Sequence, residues 1–293
     1  MTVIRTGRRS GPNRREERER VSRGEAVLRW VLMLIAVAVV LGPLLWQVTT
    51  ALKGPGESTA GFPGSLVPSE PTLDNFVTAF TQIPLARYLL NSGGIAALGV
   101  VTNLLLATLT GYALARIPFR GRNVYLAALL ATAALPFEVI LVSTLLVTRN
   151  LGLQDTLVGV VLPQAVSITS IFVMRQAFRG IPDELEEAAT IDGAGPVRTF
   201  LRIMLPNVKG SLAVITVLGF LDSWDHFIWP LVILSSPEKY PVNVGVQYLS
   251  GAFSADQRVI SAAALVVIVP PLLVYMLMQR HVFSGLAGGA LKG

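Results

Sequence analysis

Six apolar runs, at about residues 26–48, 92–115, 124–147, 157–178, 212–234 and 260–279, set the terms on which this chain can fold. Crossing the hydrocarbon core of a bilayer as a helix takes roughly 20 residues, and each run has about that length. Backbone N–H and C=O groups find no water in lipid, so a run of this kind must satisfy them internally as a helix. The expected fold is therefore an all-α membrane protein with six transmembrane helices. Composition agrees: 52% of the 293 residues are hydrophobic and only 14% charged, where soluble domains run near 25% charged. The pI near 10.0 invites a nucleic-acid reading. The arginines, however, gather at the N-terminus and in loops beside the apolar runs, so the membrane explains them and no nucleic-acid partner is expected.

Residues 1–26 form a basic tail, Arg8, Arg9, Arg14, Arg15, Arg18 and Arg20 alternating with Glu16, Glu17 and Glu19. Such a segment reads as a disordered or surface-bound cytoplasmic tail. The run from Ala26 to Val48 is too long for a cleavable signal and lacks a small-residue cleavage site. Residues 27–293 then read as one transmembrane domain, with no internal repeat. Lys53 to Arg87, rich in Gly, Pro, Ser and Thr, is an extramembrane loop in which Pro71–Phe76 opens a short interfacial helix. Placing the N-terminus inside leaves only Lys53, Arg87, Arg149, Lys239 and Arg258 of the 24 lysines and arginines outside. The positive-inside rule thus puts both termini in the cytoplasm.

Catalytic chemistry has little to stand on. The chain has no cysteine and only two histidines, His226 and His281. It carries no G-x-x-x-x-G-K-[ST] phosphate loop, no H-E-x-x-H and no G-x-S-x-G, which leaves neither nucleotide hydrolysis by that route nor hydrolase chemistry. No catalytic, metal-ligating or cofactor-binding residue is expected.

Between the fourth and fifth runs lies a polar segment punctuated by Pro and Gly. Ile181-Pro182-Asp183-Glu184 reads as a helix start, with proline early and acids in the first turn. Leu185, Ala188 and Ala189 share one face, and Gly193 is placed to end the helix in the left-handed conformation. A second short helix is expected from Pro196, with Val197, Phe200, Leu201 and Met204 on one side, Arg198 and Arg202 on the other, and Pro206 as its stop. The expected product is a cytoplasmic helix–turn–helix elbow with an alanine-lined knuckle.

Glu187-Ala188-Ala189, Gly193, Ile203, Leu205 and Pro206 match, at every position and spacing, the E-A-A signature loop of ABC-importer membrane permeases. The wider stretch Ile181–Ala194 resembles the carbohydrate, maltose-type branch, and so do Gly111–Arg116 and Leu151–Thr156. The resemblance covers about residues 70–283. It implies a permease subunit that is not itself an enzyme, whose elbow (Glu187, Ala188, Ala189, Asp192, Gly193, Ile203, Leu205, Pro206) docks a cytoplasmic ATPase. The implied partners are two ATPase subunits, which use the ATP, a second homologous permease and an extracytoplasmic solute-binding protein. The implied cargo is a sugar or oligosaccharide, with a glycerophosphodiester or a polyamine as the alternative within the class.

In the fifth run Asp222, Asp225, His226 and Trp229 follow the spacing i, i+3, i+4, i+7 and so share a face if the helix is continuous. An aspartate at the bilayer centre costs about 2.5–3.5 kcal/mol, so this face should line the bundle interior or the solute path. Either Asp222 and His226 pair to lock the span, or the carboxylates meet sugar hydroxyls beside the Trp229 ring. Trp224–Pro230 resembles the carbohydrate permeases' W-N-[DE]-F-x-W-P segment, except that Asp225 and His226 replace the usual residues. Glu138, two residues after Pro136, is a further candidate at membrane depth. Read as a proton relay, Glu138, Asp222 and Asp225 would instead suit an ion-coupled secondary transporter, which leaves the elbow without a purpose. The prolines Pro43, Pro136, Pro163, Pro230 and Pro270 read as kinks, or as hinges.

Overall fold

The computed structural model describes residues 23–59, 66–251 and 256–290, and over these it is helical without a strand. Most of the basic tail lies outside the described residues. The chain divides into two units, one up to Gln47 and one from Val48 on. The first unit is an apolar helix, α1 (Arg23–Ala51), whose end runs into the second.

The second unit begins where Asn75 donates to the carbonyls of Ala51 and Lys53, both at 2.8 Å, closing off the end of α1. Asn75 belongs to the short helix α2 (Asp74–Gln82), where the interfacial helix was expected. Next comes α3 (Leu85–Arg116), a 32-residue helix packed most extensively against α7 (Ile168–Arg179) and α11 (Lys209–Asp225). Close approach explains why. A β-carbon placed on Gly111 would lie 2.6 Å from Met174 Cβ, and one on Gly99 2.1 Å from Ser223 Oγ, so a side chain at either position would push α3 off its neighbour.

Two apolar cores stack along α3. One gathers Tyr88, Ile95, Trp224, Trp229 and Ile233; the other gathers Leu114, Met174, Phe178, Met204 and Ile215. Asn103, 3% exposed, sits in the helix between the segments that feed them. Its Nδ2 donates to Ser170 Oγ at 3.0 Å and Ile215 O at 3.1 Å, and its Oδ1 accepts from the Ser167 N–H at 2.9 Å. One side chain thus ties three helices, as a polar group in lipid must if it is to be satisfied.

Among the described residues three helices are long and apolar enough to cross a membrane unbroken, namely α1, α3 and α14 (Gln257–Ala290). Counting each bent helix pair as one span gives up to six, the third such pair being Pro196–Asn207 with α11, bent by 78°. The third expected run is broken into α4 (Arg122–Ala133) and α5 (Phe137–Asn150), which meet at 103°. Pro136 bars its predecessor from helical backbone, and that breaks the run. The fourth run is α6 (Leu157–Val161), a 3₁₀ turn at Leu162–Gln164 holding Pro163, and α7, with a 52° bend.

The fifth run is also not continuous. Helix α11 stops at Asp225, His226 is extended, and α12 (Ile228–Ile233) starts afresh. Proline four residues ahead of a carbonyl clashes with it, and Pro230 stands four residues after His226; in the first turn of α12 it is tolerated. The chain then passes a 3₁₀ turn, Pro237–Lys239, to α13 (Val242–Gly251) and α14. The tail expected from Arg280 is instead a continuation of α14. Pro270 and Pro271 lie inside that helix, which runs on through them.

Candidate functional site

The three breaks converge. A cleft of about 720 Å³ is lined by the α4–α5 joint (Leu135, Phe137, Glu138), the α6–α7 joint (Gln164, Ser167, Thr169) and the α11–α12 joint (Asp222, Asp225, His226, Trp229). Interrupted helices are tolerated at membrane depth where the freed backbone lines a cavity, and here all three interruptions face one. The candidate path residues Glu138, Asp222, Asp225, His226 and Trp229 are therefore brought together, although not by the single helical face that their spacing suggested. Lysine and arginine are absent from this lining.

Their roles separate within the cleft. Trp229 is 2% exposed and its Nε1 donates to the carbonyls of Gly159 and Val160, both at 3.1 Å. Its ring meets Phe137 edge-on at 5.8 Å. Trp229 is thus a brace joining α12 to α6 and α5, and its ring has no free face to offer. His226 Nε2 and Asp222 Oδ1 are 3.8 Å apart, an i, i+4 ion-pair contact when the imidazole is protonated but longer than a hydrogen bond. Asp222, Asp225 and Glu138 are exposed to the cleft side of the chain.

The elbow is built from α8 (Glu184–Ile191), α9 (Pro196–Thr199), a π turn at Phe200–Met204 and α10 (Leu205–Asn207). Gly193 has φ +75°, the left-handed backbone expected of it. The Ala194 N–H bonds to Ala189 O at 2.9 Å and the Gly193 N–H to Thr190 O at 3.0 Å, the paired bonds of a Schellman C-cap. Pro206 does not stop the second limb, which runs to Asn207. In the π turn the Leu205 N–H reaches Phe200 O, a wider spacing that changes the pairing just before the proline.

The elbow's exposed face also differs from the expected one. Ala189 is 4% exposed and turned inward, whereas Ala188 is exposed and Ile191 is 86% exposed. Val197 and Leu201 are exposed as well, while Met204 is buried in the core. Glu187, Asp192 and Pro206 are exposed, and Ile203 and Leu205 are half-buried against the second core.

Two features here had no sequence signal beyond their family likeness. At the end of α3, Arg116 donates to Phe178 O, Ile181 O and Asp183, and Tyr112 Oη lies 3.2 Å from Glu186 Oε1. At the other end, Asp155 holds φ +56° and accepts from the Ser235 N–H at 2.9 Å, the Ser236 N–H at 3.0 Å, Ser236 Oγ at 2.6 Å and Lys239 Nζ at 2.7 Å. Lys239 first, then these hydroxyl and amide donors, hold the Asp155 carboxyl well below the usual carboxylate range.

Comparison with known proteins follows the same outline. Residues 103–287 match the family model of the binding-protein-dependent transport system inner membrane component. The arabinooligosaccharides transport system permease protein of Halalkalibacterium halodurans is 36% identical over 77% of this chain and 81% of its own length. The sulfoquinovosyl glycerol transport system permease protein of Agrobacterium fabrum is 32% identical over 91% and 94%. Among solved structures, a chain of a bacterial ABC transporter involved in the import of the acidic polysaccharide alginate superposes with a TM-score of 0.77. That match has 25% identity and covers 89% of this chain and 97% of that one. This chain therefore belongs to the family of inner-membrane components of binding-protein-dependent transport systems, as a transport subunit and not an enzyme.

Proposed function

We propose that the chain is the sugar- or oligosaccharide-translocating permease of an ABC importer, driven through its elbow by a cytoplasmic ATPase. The observation that carries this reading is the elbow's outer face. Ala188, Ile191, Val197 and Leu201 are apolar, lie close together in sequence and are left uncovered by the rest of the chain. Glu184, Glu187, Arg198 and Arg202 flank them. An apolar knuckle rimmed by charge is what a protein partner buries. The chain has no phosphate loop of its own, so the energy must come from that partner.

In this reading the six runs cross the membrane, three of them interrupted, with both termini and the elbow in the cytoplasm. The cleft at the three joints is the chain's contribution to the solute path, completed by a second homologous permease and fed by an extracytoplasmic binding protein. Two ATPase subunits serve the pair. Relatives named for arabinooligosaccharides and diacetylchitobiose favour a neutral saccharide. Those named for sulfoquinovosyl glycerol and sn-glycerol-3-phosphate would favour an anion. Glu138, Asp222 and Asp225 with no lysine or arginine in the lining argue against an anion here.

Co-purification of ATPase subunits with the permease tests the docking. Ala188→Trp and Ile191→Glu both change side chains that project from the fold, so the permease should still insert while ATPase recovery falls several-fold. Recovery at wild-type yield with both variants would show that the elbow is not the docking site.

A further inference from the structure

We propose that Arg116 is a positioning residue that locks the elbow to α3, so that a displacement of the elbow is delivered to that span. The proposal rests on the reading of the elbow as the ATPase-docking element. Between the end of α7 and the start of α8 lie Gly180-Ile181-Pro182-Asp183, a short joint at which the elbow could swing on its own.

Arg116 bridges both sides of this joint. Its Nε and Nη2 donate to Phe178 O, at 3.1 and 2.7 Å, on the α7 side. Nη2 also reaches Ile181 O within the joint. Nη1 pairs with Asp183 at the start of α8 and lies 3.5 Å from Glu186 Oε2 one turn later. The Arg116 side chain is only 9% exposed and its bonds to the two carbonyls are part-buried, while the Asp183 carboxylate lies on the solvent side of the clamp.

One turn back on α3, Tyr112 fastens both limbs of the elbow. Its hydroxyl meets Glu186 of α8, and its ring packs on Phe178 at 5.3 Å and on Phe200 of the second limb at 4.8 Å. The residue type matters. A planar guanidinium with five donors can serve two carbonyls and two carboxylates together, whereas a lysine ammonium offers one point charge and three donors. The joint is thereby made stiff, and α8, α9 and the end of α3 move as one body.

The native chain has no cysteine, so paired spin labels can be placed cleanly. One label goes on Thr190 of the elbow and one on Leu105, an exposed residue of α3, in the complete importer reconstituted in nanodiscs. In the wild type, trapping with ATP and vanadate should leave the Thr190–Leu105 distance unchanged. With Arg116→Gln the distribution should broaden and shift on trapping, and with Arg116→Lys it should do so less. A cross-link from a cysteine at Ile191 to the ATPase, made in the same preparations, reports docking separately. A persisting cross-link with an unchanged distance in Arg116→Gln overturns the latch alone. No cross-link in the wild type overturns the docking reading and the latch with it. Should Arg116→Gln not accumulate in the membrane, Asp183→Asn removes one arm of the clamp and is read in the same way.

Discussion

Gly94 and Gly111 lie in the same helix, and the structure gives an alanine at each an opposite fate. In a helix interior, alanine is favoured over glycine by about 1 kcal/mol, because glycine gives up more backbone freedom. At Gly94 nothing stands within 4 Å of the added β-carbon, so only this gain is felt. At Gly111 the β-carbon would stand 2.6 Å from Met174 Cβ and 2.9 Å from the Arg175 backbone N. Backbone cannot step aside as a flexible side-chain tip can, so α3 and α7 must separate. Overpacking of this kind costs about 1–3 kcal/mol. Subtracting one variant from the other cancels the propensity term and leaves the steric one. At about 2–4 °C per kcal/mol for a domain of this size, Gly111→Ala should melt several degrees below Gly94→Ala. The assay is a thermal unfolding series on the detergent-purified permease, followed by size-exclusion chromatography. If the two variants shift together, the close contact of α3 with α7 is wrong.

Two further outcomes follow from the loops. Cysteines placed singly at Ser58 and Glu238 should react with an impermeant thiol reagent in intact cells, and one at Thr190 only after permeabilisation; reaction of Thr190 from outside would invert the orientation. Asp155 has its pKa depressed, so its support of the loop over 234–240 is complete above the usual carboxylate value, about 3.9, and is lost only as pH falls through the lower folded value. Amide protection at Ser235 and Ser236 should accordingly survive at pH 4 and be reduced at neutral pH in Asp155→Ala. Equal protection in the variant would show that the carboxylate does not hold the loop.

The apolar runs revealed the helices because about 20 continuous apolar residues satisfy their own backbone in lipid by coiling into one. Gly193 was legible for the same local reason: a C-cap needs φ above zero, and glycine supplies it. The joints were half legible. Pro136, Pro163 and Pro230 mark where helices break, yet a proline says nothing of where the broken ends will meet, and their meeting at one cleft is a matter of packing. Reading Asp222 to Trp229 as one face failed because Pro230 acts four residues upstream, which interrupts the periodicity that the spacing assumed. Arg116 looked like one more cytoplasmic positive charge. Its partners lie 62 to 70 residues away in sequence, beyond any local pattern. The inward turn of Ala189 was hidden similarly, since Ala188 and Ala189 are chemically alike and only the packed elbow distinguishes them.

Asn103 sets an order on the making of the protein. Its partners Ser167, Ser170 and Ile215 follow it by 64, 67 and 112 residues, so the ribosome delivers α3 long before anything exists to receive its amide. In that interval the span holds a carboxamide among lipid tails, where an unmet polar group is costly. Its bonds stay unmade until α7 and its N-cap supply two of them and α11 the third. A helix made more than a hundred residues later therefore finishes the bonding of α3. A chain arrested before α11 is made has an Asn103 amide that still lacks its bond to Ile215.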